Sequence, residues 1–469
     1  PPRLSGLSCV PSHTCHGEPC RRAPRLPFMP RTLVVTIVVA CALFMENMDS
    51  TIIATSLPAI GIDLKQDPVD LKLAFTAYLL SLAIFIPISG WCADRFGARV
   101  VFRAAIIVFT IGSICCGLSS SLGEFVAARA LQGMGGAMMS PIGRLVLLRS
   151  VPKSELLRAF AMLSIPALIG PILGPPVGGF ITTYAHWRWI FWINVPIGII
   201  GVILVTLFIP NIKEEAVRPL DKLGFFLSGI GLSTLIFGTT IIGKGLLPPL
   251  VVWGLVGLGA ALIVLYLLHA RRAPHPIIDL SLLRIATFRT NIFGGFLFRL
   301  GTGSVPFLLP LMLQIGFGLS AFQSGLLTFC SALGALVMKT TAPPILRRFG
   351  FRTILTYNAL LSAALLACFG LFTAATSHVV IIAVLLCAGF FRSLQFTSLV
   401  SIAYADVEKE RMSRATSFVA VSQQLSIASG VAISAFVLEV MREIRGTSEL
   451  VASDFSMAFA IIALIAAAS

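Results

Sequence analysis

The stretch LAIFIPISGWCADRFGARVVFRAAIIVFTIGS, residues 82–113, decides the fold, because two apolar runs flank one short charged loop. Neither run alternates polar and apolar residues, as a strand of a membrane barrel does. Each run belongs to an apolar segment of the length that a membrane-spanning helix needs. The stretch therefore predicts two membrane helices joined by a tight turn.

The rest of the chain repeats this pattern. Of its 469 residues, 57% are apolar and only 12% are charged, whereas soluble domains carry about 25% charged residues. This composition excludes a cytosolic enzyme and a nucleic-acid-binding protein, despite a net charge of +15. We predict an all-α, polytopic membrane protein with fourteen spanning helices, at residues 33–56, 71–92, 100–119, 123–149, 156–182, 187–209, 221–242, 247–269, 292–316, 320–342, 352–374, 378–402, 413–441 and 453–469.

The basic residues predict the orientation of these helices. If the N-terminus lies in the cytoplasm, 24 of the 35 Lys and Arg residues fall in the N-terminal tail and the loops on that side, and six fall on the opposite side. Cytoplasmic loops of membrane proteins carry such an excess. We therefore expect both termini in the cytoplasm, and we interpret the positive charge as a topology signal.

An internal repeat predicts two related bundles. The loop Ala93–Arg99, ADRFGAR, resembles Leu346–Arg352, LRRFGFR. The two loops are equivalent if six helices, two inserted helices and six further helices follow one another, an arrangement typical of transporters. The predicted divisions are a disordered tail or upstream extension at 1–28, a six-helix bundle at 29–212, two inserted helices at 213–275 and a second six-helix bundle at 276–469.

Cofactor sites are not expected. The Cys and His residues within 1–28 do not have the spacing of a zinc site, and the segment Gly238–Gly245 resembles a phosphate-binding loop but lacks its Ser or Thr. Without an ATP-binding domain, uphill transport must use an ion gradient.

Two acids in the first helix are the leading functional candidates. Glu46 and Asp49 are three residues apart and share a helical face. An acid inside a membrane is costly and usually faces a cavity or a partner. We assign both to proton coupling, Asp49 more strongly; Glu46 could instead contact a cationic substrate, and either acid could simply hold helices together. Arg129 of the fourth helix reaches a similar depth and is a candidate partner of Asp49.

Two glycine-containing segments are candidates for conformational change. In the fifth helix, Gly170, Gly174 and Gly178 line one face and permit close helix packing; Pro175 favours a bend, and Gly179 follows directly.

In the loop after the second helix, a charge cluster could latch one conformation by exchanging ionic partners, such as Asp94 with Arg95 or Arg99. The latch candidates are Gly90, Asp94, Arg95, Gly97 and Arg99.

Several other polar residues within the apolar segments either line a substrate cavity or form helix-to-helix hydrogen bonds. They are Gln132, Asn194, Arg299, Gln314, Arg392 and Gln395.

Together these segments resemble the major facilitator superfamily, specifically the fourteen-helix drug:proton antiporter group of the EmrB/QacA branch and its MdtD-type members. The resemblance covers about residues 30–469 and rests on five segments in order: Asp49–Pro58, Gly90–Arg99, Arg129–Gly133, Gly170–Gly179 and Trp187–Gly198. It implies that Asp49 and Arg129 serve proton coupling, that the loop around Asp94 is the latch, and that the fifth helix is associated with antiport.

The expected function is export of amphipathic drugs or related organic compounds in exchange for protons, by alternating access. The alternative is a proton-coupled symporter or a facilitator for a small metabolite. A membrane sensor or scaffold is disfavoured, because the longest cytoplasmic loop, about residues 270–291, is too short for an output domain. We expect a monomeric transport unit in the bacterial inner membrane, with small-molecule substrate and protons as partners and a periplasmic adaptor left open.

Overall fold

The computed structural model describes residues 31–152, 155–211, 213, 219–241, 248–408, 411–446 and 449–469. This part of the chain consists of helices and short connections, which confirms the predicted all-α class. The predicted tail, residues 1–28, lies outside the described residues.

Each of the fourteen predicted segments coincides largely with a helix. We number these helices α1 (Thr32–Thr55), α2 (Lys72–Phe96), α3 (Ala98–Leu118), α4 (Leu122–Ser150), α5 (Leu156–Tyr184), α6 (Trp189–Phe208), α7 (Lys222–Thr240), α8 (Pro249–Arg272), α9 (Ala286–Gly316), α10 (Ala321–Ala342), α11 (Pro344–Phe369), α12 (His378–Ala403), α13 (Met412–Arg445) and α14 (Ala452–Ala467).

Among the described residues, eleven helices are long and apolar enough to cross a membrane. The remaining three are α4, α5 and α14, of which α14 has only 16 residues. The chain is therefore polytopic, while fourteen crossings and the cytoplasmic termini stay predictions.

The two copies of the repeated loop share a backbone conformation. Gly97 ends α2 with φ 95° and ψ 138°, and Gly350, near the beginning of α11, has φ 72° and ψ 159°. A residue with a Cβ is strained at such positive φ values. The glycine of each copy therefore allows a sharp turn of the backbone, between α2 and α3 at Gly97 and within the first part of α11 at Gly350.

The helices pack in two groups, which we call the N-terminal half (α1–α6) and the C-terminal half (α9–α14). Within them, α1 packs on α4, α5 and α6, while α9 packs on α12, α13 and α14. The halves meet along two seams, α5 with α10 and α2 with α13.

The pair α7 and α8 packs chiefly on itself at the periphery. Only 28% and 17% of their most apolar stretches are buried within the protein. Such large apolar surfaces are suited to contact with lipid.

Candidate functional site

A buried polar network surrounds Asp49 in the N-terminal half. Its carboxylate accepts hydrogen bonds from Arg129 Nη1 at 2.8 Å, Gln132 Nε2 at 2.8 Å and Asn194 Nδ2 at 2.9 Å. The hydroxyl of Ser113 lies 3.0 Å from Asn194 Nδ2 and 3.3 Å from Gln132 Nε2. Asp49, Arg129, Gln132, Asn194 and Ser113 are all fully buried. Three donors on two oxygens stabilise the carboxylate anion.

Arg129 is held between the carboxylate and aromatic rings. Its guanidinium carbon lies 4.3 Å from the centre of the Tyr78 ring, and Nη1 also donates to Gln132 Oε1 at 2.6 Å. The approach of α2 to α4 depends on Gly133, because a Cβ there would lie 2.6 Å from the Tyr78 carbonyl oxygen. The structure thus brings together the acid and the arginine that the sequence paired by depth.

Glu46 lies apart from this network. Its carboxylate accepts a hydrogen bond of 2.7 Å from Ser140 of α4, and the side chain is only half-buried. The two acids of α1 therefore contact different residues of the same neighbouring helix.

A cavity of about 240 Å³ lies between the halves. Its walls come from α1 and α5 on one side and from α9, α10 and α12 on the other; its described lining includes Thr51, Pro171, Pro175, Leu309, Lys339 and Arg392. Asp49 is not among the lining residues. At 100° per residue, Asp49 and Thr51 point about 200° apart, so the carboxylate and the cavity lie on opposite sides of α1.

Three of the predicted cavity residues have other positions. Gln132 and Asn194 belong to the Asp49 network. Gln314 donates to the Thr55 carbonyl oxygen at 3.0 Å, a contact between the halves at the end of α9. None of the three is among the described lining residues.

The other three lie in the C-terminal half. Gln395 joins α11 to α12, donating to the Leu355 carbonyl oxygen and accepting from Asn358, both at 2.9 Å. Arg299 is buried within this half, at 2% exposure. Only Arg392, of the six candidates, is among the described lining residues of the cavity.

Three glycines that share one face of α5, as their spacing predicts, pack against α1. A Cβ at Gly174 would lie 2.1 Å from Thr51 Oγ1, and one at Gly178 would lie 2.4 Å from the Ile52 carbonyl oxygen. A Cβ at Gly170 would lie 3.1 Å from atoms of Phe44, Asn47 and Met48, also in α1. These residues allow the backbones of α1 and α5 to pack closely.

The seam between α5 and α10 is equally tight. A Cβ at Gly179 would lie 2.4 Å from the Ala321 carbonyl oxygen, and one at Gly325 would lie 2.4 Å from the Pro175 carbonyl oxygen. The Phe322 amide donates to Thr183 Oγ1 at 3.0 Å beside them. The halves can close here only because neither position carries a side chain.

The loop around Asp94 uses a partner that the sequence did not indicate. Asp94 pairs at 2.8 Å with Arg149 at the end of α4, rather than with Arg95 or Arg99. Arg95 is exposed. Gly90 faces open space, and Gly97 makes the turn beside the Asn211 side chain.

Ion pairs join the two halves at the ends of α2 and α13 that are predicted to face the cell exterior. Lys72 Nζ of α2 lies 2.8 Å from Glu439 Oε1 of α13, and Arg442 pairs with Asp67 just before α2. Lys72 is 1% exposed. We describe this arrangement as the external closure. Nothing in the sequence indicates that these residues meet.

In the connection that follows the same end of α1, Asp63 binds two residues that directly precede α6. Trp187 Nε1 donates to Asp63 Oδ2 at 3.2 Å, and Arg188 forms an ion pair with it. Burial by itself raises the pKa of Asp63, but the hydrogen bonds from Arg188 and Trp187 outweigh it and hold the pKa below its usual value. Asp63 is therefore ionised at neutral pH, and this contact is lost only in acid.

Gly179→Ala is expected to oppose the external closure. The added methyl group overlaps Ala321, and such overpacking costs about 1–3 kcal/mol, enough to change the ratio of closed to open states at least about fivefold. The measurement is double electron–electron resonance in a cysteine-depleted protein, with spin labels at Ile62 and Ile444, which are both exposed. The Gly179→Ala variant should show a larger population at long label-to-label distances than the unaltered chain.

Gly254→Ala in α8 is the matched control, since no atom lies within 4 Å of a Cβ at Gly254. Equal distance distributions for Gly179→Ala and Gly254→Ala would show that the α5–α10 seam does not limit closure.

Comparison with known proteins agrees with this architecture. The family described as Major Facilitator Superfamily matches residues 39–431 and 291–469. The chain is 37% identical over 422 residues to "Probable transport protein HsrA" of Haemophilus influenzae, covering 90% of this chain and 91% of that protein. It is 38% identical over 402 residues to "Putative multidrug resistance protein MdtD" of Shigella sonnei, covering 86% and 85%.

Solved structures show the same fold at low sequence identity. A POT family transporter in complex with 5-aminolevulinic acid superposes with a TM-score of 0.69 at 17% identity, covering 95% of each chain. A D-xylose-proton symporter superposes with a TM-score of 0.65 at 14% identity, covering 93% of this chain and 97% of that one. The chain therefore belongs to the Major Facilitator Superfamily, and it is a multi-pass membrane secondary transporter rather than an enzyme.

Proposed function

We propose that this transporter exports amphipathic drugs or related organic compounds in exchange for protons across the bacterial cytoplasmic membrane. The observation that carries the proposal is the buried ion pair of Asp49 and Arg129. It lies on the far side of α1 from a cavity between the halves. The similarity to a protein named for multidrug resistance supports the drug substrate.

The ion pair supplies a chemical basis for coupling. In the state described here, the external closure is formed and Asp49 is paired with Arg129. Once the external closure opens, a proton that enters from outside neutralises the carboxylate and removes its attraction for Arg129. The buried guanidinium then needs another acceptor, so α1 and α4 favour a different arrangement.

Substrate and proton need not compete for one side chain. Thr51 and Ala54 of α1 line the cavity, while Asp49 faces α4 and α6. Protonation of Asp49 therefore acts on the cavity through movement of α1 against α4 and α5. The small residues of α5 permit that movement, and the Asp94–Arg149 pair would latch the opposite end of α2 and α4.

The test uses the purified chain in liposomes with an imposed pH gradient. Dye movement that follows the gradient, is opposite to the proton flow and stops when a protonophore is added supports antiport. Dye movement in the direction of the proton indicates a symporter, and dye movement indifferent to the gradient indicates a facilitator. One chain in the bilayer is the proposed transport unit, and this assay contains no periplasmic adaptor.

A further inference from the structure

The wall that the C-terminal half contributes to the cavity carries two cations. Arg392 of α12 and Lys339 of α10 both line it. The contacts described for them are with hydroxyl groups: Arg392 Nη2 lies 3.4 Å from Ser331 Oγ, and Lys339 Nζ lies 3.3 Å from Thr397 Oγ1. In the described part of the chain neither has a carboxylate partner.

A third cation is buried in the C-terminal half. Arg299 is 2% exposed, and none of its three guanidinium nitrogens has a hydrogen-bond partner among the described residues. Its guanidinium carbon lies 5.6 Å from the centre of the Phe396 ring, and Phe396 follows Arg392 by one turn of α12. A buried, unpaired cation is costly, and Arg299 adds to the positive charge of the half that carries Arg392 and Lys339.

Acidic groups do not balance these charges. No Asp or Glu is among the described lining residues, and residues 156–168 of α5 contain no acid in the sequence. The two acids of α1 contact α4 and are not among the lining residues: Glu46 accepts a hydrogen bond from Ser140, and Asp49 pairs with Arg129. The cavity therefore has a net positive wall in a region of low dielectric constant, where charge acts strongly.

We infer that the cavity binds an amphipathic organic anion, a carboxylate, sulfonate or phosphate attached to an apolar body. The inference rests on the proposed export function and names its substrate class. Arg392 can hold such a group in bidentate fashion, and Lys339 adds a second charge. The apolar body would contact Pro171, Ile172 and Leu309 in the remaining walls. A cationic drug would instead be repelled.

The direct test compares two dyes that share a xanthene ring system and carry opposite charge, fluorescein and rhodamine 6G. Their binding to the full chain is measured by fluorescence anisotropy at pH 8, where fluorescein is a dianion. The protein is held in nanodiscs of phosphatidylcholine, so that no anionic lipid headgroup can occupy the cavity. We expect fluorescein to bind at least about tenfold more tightly than rhodamine 6G.

Variants test whether the cations of the cavity wall cause the preference for fluorescein. Arg392→Gln should weaken fluorescein binding about tenfold or more without weakening rhodamine 6G binding, and Arg392→Lys, which keeps the charge, should lose less. Arg271→Gln removes an exposed arginine at the end of α8 and should leave both affinities unchanged. If Arg392→Gln does not fold, Lys339→Gln serves the same comparison.

Two results would overturn the inference: rhodamine 6G binding as tightly as fluorescein, or fluorescein affinity unchanged within twofold in both Arg392→Gln and Lys339→Gln. Because binding is measured without a pH gradient, its outcome is separate from that of the proposed function. If the protein still binds fluorescein more tightly than rhodamine 6G but transports neither dye in response to a pH gradient, the antiport mechanism is refuted and the anion-binding site is retained.

Discussion

Asp49→Asn is expected to reduce pH-driven efflux roughly 100-fold, to the level of passive leak, because an amide does not bind a proton near neutral pH. The substitution keeps the shape of the side chain, removes the charge and its titration, and replaces one accepting oxygen by an NH2 group. The measurement is dye efflux from liposomes with and without a pH gradient. Efflux driven only by the concentration gradient of the dye, with no pH gradient, should be reduced less than efflux driven by a pH gradient.

Two further variants make this result specific. Asp406→Asn neutralises an exposed acid that accepts a hydrogen bond from Thr287, and it should transport as the unaltered chain does. Glu46→Gln tests the second acid of α1, and we expect a smaller loss than for Asp49→Asn. If Asp49→Asn still responds to the pH gradient and Glu46→Gln does not, the coupling role belongs to Glu46.

The second large effect is on stability. Arg129→Gln leaves the Asp49 carboxylate buried without its charged partner, and breaking a buried pair in this way costs about 3–5 kcal/mol. Asp49→Asn strands the guanidinium of Arg129 and should cost a similar amount. The double variant should lose less than the sum of the two single losses, because no unpaired charge remains in it.

The free energy of unfolding is measured in mixed detergent micelles for the unaltered chain, the two single variants and the double variant, which together form a double-mutant cycle. Arg414→Gln is the control, because Arg414 is 37% exposed in its ion pair with Asp279 and such pairs contribute at most about 1 kcal/mol. Additive losses for Asp49 and Arg129 would contradict the buried ion pair.

The features that depend on a single helix could be predicted from the sequence. Continuous apolar runs predict where helices lie, and the rise per residue predicts depth. Depth alone was enough to propose that Asp49 meets Arg129, which the structure places 2.8 Å apart. The face of α5 that carries its three glycines likewise follows from their spacing.

The parts that depend on which helices are neighbours could not be predicted in this way. Gln395 is a polar residue within an apolar helix, as a cavity residue would be, yet its side chain faces α11. Asp94 lies beside Arg95 and Arg99 in sequence, yet its partner Arg149 is 55 residues away. Lys72 and Glu439 are separated by 367 residues, and only the assembly of both halves brings them together.

The most direct test of proton exchange reverses the direction of coupling. Liposomes containing the chain are given a substrate gradient, fluorescein outside and none inside, with no initial pH difference, and lumenal pH is followed with an impermeant dye of another colour. Antiport predicts that substrate entry drives protons out and makes the lumen more alkaline, and that Asp49→Asn abolishes this change. Fluorescein entry with an unchanged lumenal pH in the unaltered chain would contradict the account.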